Sequence, residues 1–219
     1  MISSAATAAA NALVGFGWLE LLRSLGPYAA ACVGWLALKN WKRQDKAKRE
    51  ADFLDALIES THAFIIAMSR PVALHQAVRT GMICHGPSPF DPEKLTIEGA
   101  IQYIQKASEA TSRRLDEALS QVQPLVVQLR SLASKGQIFG FKDYGKCYQS
   151  IQMITWQFDR VTSLGSIISI PTLNWENSQV LGTLEKVVAV ESDEIQRSLN
   201  KYDVEIIQFS QTTYKQLYA

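Results

Sequence analysis

The chain has 219 residues, 47% of them hydrophobic, and a formal net charge of +1. That hydrophobic share excludes an intrinsically disordered chain, and the near-neutral balance excludes a general nucleic-acid binder, which needs a basic excess to neutralise phosphates. Cys32, Cys84 and Cys147 are few, far apart and odd in number, which argues against a disulfide framework and suits a reducing compartment.

Charge is placed unevenly along the chain. From Met1 to Leu38 only Glu20 and Arg23 are charged, whereas Lys39, Lys42, Arg43, Lys46, Lys48 and Arg49 follow against only Asp45 and Glu50. Residues 1–20 form an Ala-rich segment expected outside a membrane or at its interface. Ser24 to Leu38 is a run of fifteen uncharged residues, short beside the roughly 17 to 25 that a spanning helix needs. Leu21 and Leu22 extend it, and Arg23 can snorkel to the interface. The reading is a transmembrane helix over 21–40, with Trp18 and Trp41 as interface anchors at its ends. The basic flank after it and the absence of Lys and Arg from Met1 to Leu22 place the N-terminus outside and residues 41–219 in the cytoplasm, as in a single-pass protein of a bacterial inner membrane. A two-pass variant, in which residues 5–19 also enter the bilayer, and a buried helix of a non-membrane protein are the alternatives. Gly26, Ala30 and Gly34 form a small-residue stripe of the kind that supports self-association of helices in lipid. The basic run Lys39, Lys42, Arg43, Lys46, Lys48 and Arg49 reads both as a topology signal and as a flank facing anionic lipid, worth about 1 kcal/mol per basic residue.

Behind this run the chain reads as all-α. A long helix continues from Asn40 to Arg70, its apolar stripe through Leu54, Ile58, Ile65 and Met68 broader than a strict coiled-coil seam; Pro71 breaks or kinks it, and a short helix over 72–79 follows. Gly81 to Pro92 is a Gly- and Pro-rich loop. A second long helix starts at the N-cap Thr96 and runs to Leu132 with a kink at Pro124, and Ser134 to Gly145 reads as a loop. A third runs from about Asp143 to Leu164, with Tyr148, Ile151, Ile154, Trp156, Phe158 and Val161 on its apolar face and Gly165 as its stop. Ser166 to Asn174 reads as loop, and a last helix covers about Trp175 to Leu217. The predicted architecture is an N-terminal transmembrane helix followed by a cytoplasmic antiparallel bundle of about four long helices.

No pattern fixes a reaction. Tyr144-Gly145-Lys146 lacks the glycine spacing and following hydroxyl of a phosphate-binding loop. His62, His75, His85 and Cys84 lack the paired close spacings of a structural metal site, so no metal and no cofactor is expected. Asp52, Asp55 and Glu59 share a helix face, as do Glu191 and Glu194, without the Glu-x-x-His companions of a di-iron bundle; they read as solvated faces. Glu191 lies near the apolar stripe of the last helix and is an outlier there. The expected function is therefore a non-enzymatic, membrane-anchored interaction or scaffold protein, with the lipid bilayer, an unknown protein and further copies of itself as partners. The alternative is a membrane-perturbing effector of toxin or phage-defence type, triggered through its bundle.

Overall fold

The computed structural model describes residues 3–86 and 95–218, with side chains from residue 25 onward and at Arg23. All regular structure among these residues is helical. The elements in order are α1 (Ser3–Cys84), α2 (Ile97–Lys106), α3 (Glu109–Phe139), α4 (Tyr144–Ile168), α5 (Ser178–Val188) and α6 (Ser192–Leu217). The chain divides into two compact units, Met1–Arg49 and Glu50–Ala219.

The second unit is a helical bundle. Within it α4 packs most extensively on α3 and α6 and more lightly on α5, while α2 touches α5. Leu54, Leu57, Phe64 and Met68 of α1, Leu115, Val126 and Leu129 of α3, Ile151 and Ile154 of α4, and Ile195 and Ile206 of α6 are fully buried in one continuous apolar core. Side-chain hydrogen bonds tie α1 to the rest. Gln128 Nε2 donates to Ser60 Oγ at 2.7 Å, and the Tyr214 hydroxyl donates to the Asp55 carboxylate and lies 3.1 Å from the carbonyl of Ala51. Five rings, Phe53, Phe139, Phe141, Tyr144 and Phe209, cluster at the end where residue 53 enters the core, with neighbouring centroids 5.0 to 6.4 Å apart.

Thr96 caps α2 as expected, accepting from Gly99 N at 3.1 Å. Several breaks and stops differ from the sequence reading. Pro71 does not end a helix: α1 continues to Cys84, because Met68, Val72, Val78 and Met82 bury one apolar face across the proline, outweighing the backbone bond it removes. Pro124 lies inside α3, which runs on to Phe139 through much of the stretch read as a loop. Gly136 is there for close approach, since a Cβ at this position would overlap the Tyr144 ring. The reversal into α4 takes only residues 140–143, with Gly140 at φ 67° and Asp143 at φ 60° in the left-handed region. Gly165 does not stop α4, which extends to the buried Ile168. Trp156, placed on the apolar face by its spacing, is 47% exposed and lies under the Arg160 guanidinium.

Two helices read as continuous are each divided. The α2–α3 break falls at the buried Ser108, whose Oγ is 2.8 Å from the carbonyls of both Ile104 and Ile168 and so competes with the helical ladder. The α5–α6 break falls at residues 189–191, where Arg79 of α1 donates to the carbonyls of Val188 and Val190. The bundle thus has four long helices and two short ones among the described residues. Glu191 precedes α6 as its exposed N-cap residue; with Asp193 and Glu194 it sets negative charge at the helix's positive end.

Candidate functional site

The first unit, taken by itself, has one chemical peculiarity. Every residue from 25 to 44 is exposed, including Leu25, Tyr28, Val33, Trp35, Leu36, Leu38 and Trp41. Gly26 and Gly34 have no atom within 4 Å of a Cβ built on them, and Ala30 is exposed, so the small-residue stripe is uncovered in the single chain. Trp41 is 63% exposed, while the side chain of Trp18 lies outside those described. Lys39, Lys42, Arg43, Lys46, Lys48 and Arg49 are all exposed; the Lys39 ammonium lies 5.4 Å from the Trp35 ring centroid and Arg49 pairs with Asp45 one turn back. Among the described residues no helix is long and apolar enough to cross a membrane. The run is an exposed apolar stretch bounded by a basic flank.

The bundle holds a second arrangement that the sequence did not single out. His75 is 1% exposed; its Nδ1 lies 2.7 Å from Ser192 Oγ, and its Nε2 is buried with no hydrogen-bond partner. Burial, then the charges of Arg79 and Arg160, pushes the imidazole pKa down to about 4, so the ring is neutral near pH 7. One turn on, Arg79 holds the α5–α6 junction, and Arg160 donates to Gln157 Oε1 at 3.0 Å and to Glu194 Oε1 at 2.8 Å. That hydrogen bond holds the Glu194 carboxyl below its usual range. A serine beside a histidine invites a nucleophile reading. Here, however, Ser192 is 4% exposed and no carboxylate orients the ring, so the pair reads as an internal clamp joining α1 to the start of α6. Its sequence signal was His75 standing in the core register between Val72 and Val78.

The remaining candidates are dispersed. His62 is exposed, and His85 spends Nδ1 on the Gly81 carbonyl at 2.7 Å with its ring edge-on to Tyr103. Among the described residues no three His, Cys, Asp or Glu side chains gather as a metal-holding group. Asp55 accepts the Tyr214 hydroxyl, while Asp52 and Glu59 face solvent. No protein-family model, curated protein or solved structure matches the chain.

Proposed function

We propose that the protein is a non-enzymatic helical interaction or scaffold protein, held at a membrane by its N-terminal helix, with the bundle as its partner-binding module on the cytoplasmic side. The observation that supports this is the uninterrupted exposure of residues 25–44, seven of them large and apolar, beside a bundle that buries its own apolar residues normally. Lipid removes that apolar surface from water without any shape requirement, and the basic run from Lys39 to Arg49 sits where an anionic cytoplasmic leaflet would attract it. Fifteen uncharged residues are few for a full span; Leu21 and Leu22 lengthen the run in the single-pass form with the N-terminus outside.

Flotation of the full chain with neutral phosphatidylcholine vesicles tests this. The wild type should float and resist carbonate extraction, and Val33→Glu/Leu36→Glu should remain in the dense fraction with an unchanged far-UV circular dichroism spectrum. A wild type that stays dense, or a double variant that still floats, overturns membrane attachment by this segment.

A further inference from the structure

α4 and α6 leave a cleft of about 540 Å³ between them, within the size range of small-molecule sites. Its floor includes Cys147, Tyr202 and Phe209, and its rim carries three ammonium groups, Lys142, Lys146 and Lys201. Elsewhere in the bundle Arg70, Arg113, Arg130 and Arg160 each meet a carboxylate within 4.0 Å. Among the described residues no ion pair engages the three cleft lysines, and the Lys201 ammonium lies 5.0 Å from the Tyr202 ring centroid. The cleft's two carboxylates are Asp143 and Glu205. Glu205 is fixed from across the cleft by Ser150, whose Oγ donates to Glu205 Oε2 at 2.6 Å.

We propose that this cleft binds a phosphoryl group carrying hydroxyls, either a free polyol phosphate or the phosphoglycerol headgroup of a lipid. Three unpaired ammoniums supply the charge that a phosphate needs, and lysines bind phosphate as point charges without the planar match of arginine. Phosphate alone would leave most of the cleft empty. Glu205, an acceptor held in place by Ser150, suits a ligand hydroxyl as donor and would repel a bare anion. A buried ligand hydroxyl paired to a carboxylate discriminates strongly against an analogue lacking it. The apolar floor accommodates the carbon chain between the two.

The test is isothermal titration of the full chain in a mild non-ionic detergent with glycerol 3-phosphate, inorganic phosphate, and the short-chain lipids dihexanoyl phosphatidylglycerol and dihexanoyl phosphatidylcholine. Glycerol 3-phosphate or the phosphatidylglycerol should saturate the wild type, and whichever binds identifies the source. Lys146→Gln/Lys201→Gln should weaken that binding roughly tenfold, while Lys186→Gln, on α5 and outside the cleft, should leave it unchanged. Glu205→Gln should weaken the hydroxyl-bearing ligand without weakening inorganic phosphate. The proposal is overturned if neither hydroxyl-bearing ligand saturates, if Lys186→Gln weakens binding as much as the double variant, or if Glu205→Gln tightens every anion alike. Flotation on neutral vesicles is independent of this outcome, so failure of the cleft and failure of the anchor are separable.

Discussion

Residues 25–44 and the bundle beginning at Glu50 use comparable apolar side chains in opposite ways. In the bundle, Leu54, Leu57 and Phe64 are fully buried and their neighbours Asp52, Asp55 and Glu59 are exposed, so each turn has an inside and an outside. In the earlier stretch Leu25, Val33, Trp35, Leu36 and Leu38 are as exposed as the alanines and glycines between them. Charged residues are also missing from residues 25–38, so no charged face is set against the apolar one. The difference is between helices that cover one another's apolar faces and a stretch whose apolar residues stay exposed in the single chain.

The sharpest break of this comparison is to remove one leucine from each region. Leu54→Ala should destabilise the bundle by about 3 kcal/mol in urea unfolding, through lost burial and the cavity left behind. Leu36→Ala should leave that transition in place and alter only partition into vesicles. An equal loss from Leu36→Ala would mean that the first unit is covered by protein.

A comparable effect is expected from pH, because the bundle also buries a base. The folded His75 pKa of about 4 lies below its ordinary 6.5, so between these values the unfolded chain binds a proton that the folded chain refuses. Stability is fully retained above pH 6.5 and falls as pH drops toward 4, by about 3 kcal/mol. His75→Gln should flatten that part of the stability–pH curve; identical curves for both proteins would refute the assignment.

Smaller effects are expected where helices approach closely. At Gly99 a Cβ would lie 2.7 Å from the Met82 carbonyl oxygen and 2.8 Å from the Gly86 backbone. Gly99→Ala should cost about 1–3 kcal/mol, while Gly34→Ala, with open space around it, should leave the bundle's thermal unfolding unchanged. Last comes Arg113, whose pair with Glu109 at 2.9 Å is fully on the surface: Arg113→Ala should change stability by less than about 0.5 kcal/mol, and less still in high salt.

Much of the bundle was legible because its signals are local. Thr96 caps through a neighbour three residues on, and Ile151, Ile154, Phe158 and Val161 recur at helical spacing and are buried. The two missed breaks depend on distant partners: Ser108 meets a carbonyl 60 residues away, and Arg79 reaches carbonyls more than 100 residues away. Proline and glycine misled for the same reason, since burial around Pro71 and the Tyr144 ring against Gly136 are tertiary facts. The exposed run was readable from its charge pattern. The cleft was not, because Lys142 and Lys146 lie far in sequence from Lys201 and only the packing of α4 on α6 brings them to one rim.

Cys147 carries a consequence for measurement. It is 1% exposed and its thiol is pushed up to about 12 by burial, whereas Cys32 and Cys84 are exposed. A maleimide should therefore label the bundle's Cys84 promptly and Cys147 only when α4 parts from its neighbours. In Cys32→Ser/Cys84→Ser the remaining thiol becomes a clock for bundle opening, readable by mass without denaturant.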